Sequence, residues 1–260
     1  MAIARTLLRG FLWNYMRVET LRFIEALTVI KLKHASPSAV IFDVEGTLID
    51  CVPLILESWR RTLLAAGHSF TIAELQAYSG MDGDWMLEQL LPTVDADVRQ
   101  KLLKVHGDEY RAGFIHQAQP FGGLRDLFEQ LKGREIAIGI ATTCKKDELT
   151  IYDERMKVVE LADAVVCGET VKHGKPDSAL LEECLRSLKV ASPGAALGVG
   201  DTPFDARAGR ALGLDCAGVL TGGFSTTALR DAGYKYVFDE VRQVGSIWDL
   251  HSPLEVALPG

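Results

Sequence analysis

The run Ala-Val-Ile-Phe-Asp-Val-Glu-Gly-Thr-Leu-Ile-Asp, residues 39–50, decides the fold. Its opening apolar stretch is too short for a helix and lacks polar alternation, which suits a strand buried on both faces. Asp43 ends that stretch and Gly46 follows in the turn behind it. The same short-run pattern returns at 135–141, 164–167, 196–199 and 216–220, with an edge candidate at 236–238. Each main run is flanked by Gly, Asp or Thr, and helical stretches lie between them. The expected fold class is therefore α/β, a parallel sheet wrapped by helices.

Working outward, the first two strand runs stand about ninety residues apart, whereas a strand–helix–strand crossover needs only a few tens. The intervening chain reads as helical throughout. Pro53 opens one helix that Gly67 closes, Thr71 and Glu74 have capping-box spacing, and Asp84 or Asp95 can start later helices. This predicts an all-helical cap over 52–118, inserted into a core made of 38–51 and 119–260. The linkers fall at 51–53 and 117–123. A mobile cap of this kind can close over the sheet and exclude water.

Residues 1–37 differ in character, with Arg5, Arg9, Arg17, Arg22, Lys31 and Lys33 set against only Glu19 and Glu25. Leu7, Phe11, Tyr15, Val18 and Arg22 recur at helical spacing, which predicts an amphipathic N-terminal extension, either a packing helix or a leader. Charges interrupt every apolar run there, so none reaches the ~20 residues of a membrane span. An interfacial membrane helix is the lesser alternative.

The chain of 260 residues is 48% hydrophobic and 24% charged, an ordinary globular composition. A net charge of −7 leaves no basic surplus for nucleic-acid backbones. Cys51, Cys144, Cys167, Cys184 and Cys216 are scattered without a CxxC pair, so reduced thiols in a cytoplasmic protein are expected. Nothing in the composition points to an oligomer.

Three polar residues follow directly on strand runs: Asp43, Thr142 and Asp201. Ligands of open parallel sheets bind beyond the carboxyl ends of the strands, so these three should converge on one edge. Lys175, before the helix expected at 178–188, and Asp205 should lie on the same edge. Carboxylates gathered in this way repel one another unless a cation intervenes. Their oxygen-only donors and lack of histidine favour Mg²⁺ over zinc. Lys175 and the Thr142 hydroxyl could then hold phosphoryl oxygens.

The segment DVEGTLID, residues 43–50, resembles the first motif of the haloacid dehalogenase-like hydrolases. Ile140-Ala-Thr142 resembles the second, His173-Gly-Lys175-Pro the third, and Gly200-Asp-Thr-Pro-Phe-Asp205 the fourth. The stretch SGMDGDWML, residues 79–87, is similar to the cap's substrate loop in phosphoglycolate-phosphatase-like members. The resemblance runs from residue 38 to about 240 with the motifs in order. It implies a Rossmann-like core and a phosphatase acting on a small phosphorylated metabolite through an aspartyl-phosphate. Asp43 would be the nucleophile. Asp43, Asp201 and the Glu45 backbone carbonyl would hold Mg²⁺, with Asp205 assisting through water. Thr142, Thr143 beside it, and Lys175 would bind the phosphoryl group.

Glu45 departs from the family's usual pattern, in which Asp stands two residues beyond the nucleophile to protonate the leaving group and then activate water. Glu keeps a carboxylic acid of similar intrinsic pKa but moves it by more than an ångström, and small misplacements cost up to about 10²-fold. The enolase-phosphatase branch carries Glu at this place, whereas the dehalogenase and phosphonatase branches carry no acid. Two alternatives stay open: a phosphomutase of the same fold, and a phosphate-binding regulatory protein without turnover.

Several neighbouring residues have plainer readings. Trp59 shares a helix face with Leu56 and Leu63 and reads as core, while Arg60 and Arg61 read as solvated. Met81, Asp82 and Trp85 are the cap's candidate substrate contacts. Cys51 and Cys144 lack a paired histidine base and read as inert.

Overall fold

A computed structural model describes residues 36–250. The amphipathic pattern expected within 1–37 lies outside the described residues. Residues Pro37–Ile247 form one compact unit. The strands of that unit, in chain order, are β1 (Ala39–Phe42), β2 (Ile49–Asp50), β3 (Gln119–Pro120), β4 (Ala137–Ala141), β5 (Ala164–Val166), β6 (Ala196–Gly200), β7 (Asp215–Val219) and β8 (Tyr236–Phe238). Six of them make a parallel sheet in the order β5-β4-β1-β6-β7-β8. This is an α/β Rossmann-like core, as expected. The strand ends shift by one or two residues from the sequence reading, because flanking Gly, Asp and Thr set the apolar boundaries only loosely.

β1 lies at the centre, with Ala39 opposite Ala137 on one side and Ala196 on the other. All four of its residues are buried. The chain winds outward from β1 to β4 and β5, then returns to place β6 on β1's other side. That reversal opens a crevice at the carboxyl end of β1.

The helices follow the same chain order: α1 (Val52–Ala65), α2 (Ile72–Gln76), α3 (Gly83–Leu90), α4 (Ala96–Gly113), α5 (Leu124–Gly133), α6 (Lys146–Met156), α7 (Ala179–Ser187), α8 (Pro203–Leu212), α9 (Thr226–Ala232) and α10 (Ser246–Leu250). α5 buries Leu124, Leu127, Phe128 and Leu131, a stripe at helical spacing, against one face of the sheet. Phe128 stacks on Phe42 with ring centroids 5.0 Å apart. Ala39 and Ile41 point to the other face, where they meet Leu180 and Cys184 of α7. Phe128→Ala is expected to cost about 3–5 kcal/mol, measured by urea unfolding, because the space left at a fully buried ring cannot collapse. A loss below about 1 kcal/mol would show that this face repacks freely.

α1 to α4 occupy the stretch between β2 and β3 and build a separate apolar cluster from Leu56, Trp59, Leu63, Leu75, Leu87 and Leu102. Pro lies in the first turn of α1, and Gly67 beyond its end takes φ 88°. The capping box at Thr71 and Glu74 forms as expected. The side-chain cap of α3 is Asp82 rather than Asp84: its carboxylate accepts from the Asp84 amide at 3.0 Å. Asp95 precedes α4 without a side-chain cap. β2 and β3 pair antiparallel, so the chain leaves for these helices and returns from them side by side. Among the described residues, no helix is long and apolar enough to cross a membrane.

Candidate active site

Asp43 follows β1 directly, and the chain behind it folds into a tight loop. The Leu48 amide donates to the Val44 carbonyl at 2.8 Å, and the Gly46 amide to Ile49 at 2.9 Å. Gly46 takes φ 81°, open chiefly to glycine. This loop carries Thr47 to Asp201 at the end of β6, where its hydroxyl donates to Asp201 Oδ1 at 3.0 Å. A first side-chain carbon at Gly46 or Gly222 would run into the Asp201 carboxylate. Both positions therefore need glycine for close approach.

Asp205 is held by the start of α8. Its Oδ2 accepts from the Thr202 amide at 3.1 Å and the Thr202 hydroxyl at 2.7 Å, a capping box. Its Oδ1 lies 2.6 Å from Lys175 Nζ, which also forms an ion pair with Asp43 Oδ1. Lys175 is thus a buried clamp between the end of β1 and the start of α8. Burial disfavours its ammonium, but Asp205 and Asp43 outweigh that cost and hold it above the usual lysine range.

Asp43, Asp201 and Asp205 each offer an oxygen within 4.8 Å of the other two, and all three are buried. Burial first, and neighbouring carboxylates second, push the Asp201 carboxyl up. Burial likewise lifts Asp43 to about 6, against the opposing pull of Lys175. Asp201 Oδ2 is buried without a hydrogen-bond partner, and a buried acceptor left unpaired costs about 1–3 kcal/mol. An orphaned oxygen beside a second carboxylate, with oxygen donors only, fits a hard divalent cation such as Mg²⁺. The Glu45 carboxylate stands outside this triad.

Glu45 faces the crevice with Oε1 accepting from the Tyr152 hydroxyl at 3.0 Å. Burial, then the nearby Glu148 and Asp43 carboxylates, raise it to about 8. These surroundings favour the protonated form of Glu45 over its carboxylate.

A cavity of about 530 Å³ extends from Asp43, Glu45, Thr143 and Lys175 toward Trp59 and Met86 in the helical insert. Met81 and Asp82 line it, whereas Trp85 does not and instead stacks on His173 at 5.8 Å. Asp82 also ties the insert to the core. Its amide donates to the Lys175 carbonyl at 2.8 Å, and its Oδ2 accepts from the Gly174 amide at 3.1 Å. Thr142 is fully buried, and its hydroxyl accepts from the Cys144 amide at 3.2 Å. It does not border the cavity, whereas the half-buried Thr143 does. Trp59 is buried as expected. Arg61 is exposed and Arg60 part-exposed, in keeping with a solvated reading, and both also pair with Glu57 at 2.9 and 2.7 Å. The Cys51 and Cys144 thiols are pushed up by burial, which keeps them unreactive.

The sequence model described as haloacid dehalogenase-like hydrolase matches residues 40–219. The chain belongs to the haloacid dehalogenase-like hydrolase family. Among this hydrolase's relatives, a phosphoglycolate phosphatase of Rhodospirillum rubrum is 28% identical over 220 residues, which cover 80% of this chain and 90% of that one. A pyrophosphatase of Bacillus velezensis is 27% identical over 194 residues, 70% of this chain and 82% of the other. The crystal structure of a hydrolase from Pseudomonas syringae aligns with a TM-score of 0.76 at 26% identity, covering 82% of this hydrolase and 98% of its own chain.

Sequence reasoning missed Thr47, Gly222 and Tyr152 of the hydrolase's site. Thr47 carried a signal, a hydroxyl inside the first motif. Tyr152 carried none, because its place among Leu149 and Met156 reads as an ordinary apolar helix face.

Proposed function

We propose that this hydrolase is a phosphomonoesterase for small phosphorylated metabolites, working through an aspartyl-phosphate on Asp43. The observation that carries this reading is the buried Asp43–Lys175 ion pair beside the orphaned oxygen of Asp201. It supports reading Asp43 as a nucleophile, Lys175 as a phosphate-binding cation and the acids around Asp201 as a metal site, all at one sheet edge. The phosphatases among the relatives support the reaction class.

In the mechanism, Lys175 and Thr143 orient the phosphoryl oxygens, and Lys175 neutralises charge that builds up on them. Asp43 attacks phosphorus, forming its bond as the ester P–O bond breaks. Glu45 gives its proton to the departing alcohol oxygen, then takes one from the water that cleaves the aspartyl-phosphate. Residues 52–118 act as a cap, with Asp82 docked on the Lys175 loop to limit water access during the transfer. Asp43, Asp201 and the Glu45 backbone carbonyl would hold Mg²⁺, with Asp205 behind them. Bound there, the cation supplies positive charge that offsets the carboxylates and polarises the phosphoryl group.

Glu45→Ala tests the reading. Turnover of alkyl phosphates should fall about 10²–10⁴-fold, the usual worth of a positioned proton donor. Aryl phosphates need less protonation and should lose less in the first turnover. Glu45→Asp should lie between Ala and the parent, since it restores an acid but withdraws it. An Ala variant equal to the parent on both ester types would remove Glu45 from the chemistry.

A further inference from the structure

The extra methylene of Glu45 gives its carboxyl one more rotor than Asp would have. A proton donor with an unrestrained rotor spends most of its time misaligned. Two phenols address that rotor. Tyr152 of α6 donates to Glu45 Oε1 at 3.0 Å, and the Tyr152 and Tyr110 hydroxyl oxygens lie 2.7 Å apart. Tyr152 and Tyr110 are 1% and 3% exposed, so both are fixed by packing. Each phenol has one proton to give. Tyr152 gives its proton to Glu45, so its oxygen accepts from Tyr110. The order Tyr110 to Tyr152 to Glu45 follows.

We infer that Tyr152 is a positioning residue for Glu45, keeping Oε1 an acceptor so that the transferable proton sits on Oε2, and that Tyr110 holds Tyr152 in that orientation. The inference rests on the reading of Glu45 as the proton donor. When the ester bond breaks, the Oε2 proton passes to the leaving oxygen, and the new carboxylate keeps its hydrogen bond from Tyr152. Burial holds both phenols above the usual tyrosine range, so they stay protonated and remain donors. Of the two other nearby acids, Asp43 is paired with Lys175, and Glu148 is occupied by Arg111 at 3.1 Å and the Lys145 amide at 3.0 Å. Tyr110 belongs to α4 of the insert and Tyr152 to the core. The insert therefore supplies part of the support for the acid as well as covering the crevice.

The test is first-turnover kinetics on one alkyl and one aryl phosphate, with Mg²⁺ present, for Tyr152→Phe, Tyr110→Phe, Glu45→Ala and Tyr152→Phe combined with Glu45→Ala. Tyr152→Phe keeps the ring and should lower the first-turnover rate on the alkyl phosphate about tenfold with the half-saturating substrate concentration near the parent's, and the rate on the aryl phosphate by less. Tyr110→Phe should act in the same direction with a smaller effect. In the Glu45→Ala background, Tyr152→Phe should cause no further loss, since its partner is gone. Equal losses in both backgrounds, or on both esters, would make Tyr152 merely structural and overturn the inference. A large Glu45→Ala defect beside an unaffected Tyr152→Phe would overturn the positioning role alone. An unaffected Glu45→Ala would overturn the donor reading beneath it.

Discussion

Asp43→Asn is expected to lower phosphate release by about 10⁴–10⁶-fold, the loss seen when a covalent nucleophile is removed. The amide matches the carboxylate in size but is a poor nucleophile. Fold should survive, because Lys175 keeps its second carboxylate partner, Asp205, at 2.6 Å. The melting temperature should move by no more than about 2–4 °C, the shift that about 1 kcal/mol produces in a domain of this size. Substrate should still bind through Lys175. Rapid mixing of the parent with substrate, followed by acid quench, should trap phosphate on Asp43, and the variant should trap none. A variant that turned over near the parent rate would replace the covalent scheme with direct attack by water.

Excess chelator is expected to abolish turnover, added Mg²⁺ to restore it, and the same cation to raise the melting temperature. The reason lies in the buried acids. Asp43 is raised to about 6, Glu45 to about 8, and Asp201 above its ordinary range, chiefly by burial. The folded state therefore holds these protons more tightly than the unfolded chain, whose carboxyls titrate near about 4. Their stabilising contribution is complete below about pH 4 and is lost as pH rises through about 6 and about 8. Metal-free protein should thus lose stability between about pH 4 and 8. A cation bound only to the folded state at about 100 times its Kd should return about 2.7 kcal/mol, or about 5–10 °C. Asp201→Asn should remove that rise without lowering the metal-free melting temperature, since it replaces a buried acid that has an unpartnered oxygen with a neutral amide. Full turnover in chelator, together with a melting temperature blind to Mg²⁺, would refute the metal site.

The sequence alone determined the features that depend on neighbouring residues. A short apolar run such as 39–42 can bury both faces only inside a sheet, so the central strand was legible. So was the arrival of Asp43, Thr142 and Asp201 at one edge, because parallel strands share a direction. The capping box at Thr71 and the Pro-opened helix behind Cys51 were equally local. Tertiary structure alone decided what those groups touch. Thr47 meets Asp201 across 154 residues, and Tyr152 meets Glu45 across 107. Only the order of the strands and the packing of α6 bring them together. It also decided that Asp201 Oδ2 is left without a partner, that Thr143 rather than Thr142 borders the cavity, and that Asp82 docks on the Lys175 loop. Periodicity reports which face of an element is buried. It cannot distinguish a hydroxyl that packs there as core from one that donates to a carboxyl in the crevice, because that difference rests on a few ångströms between residues far apart in the chain.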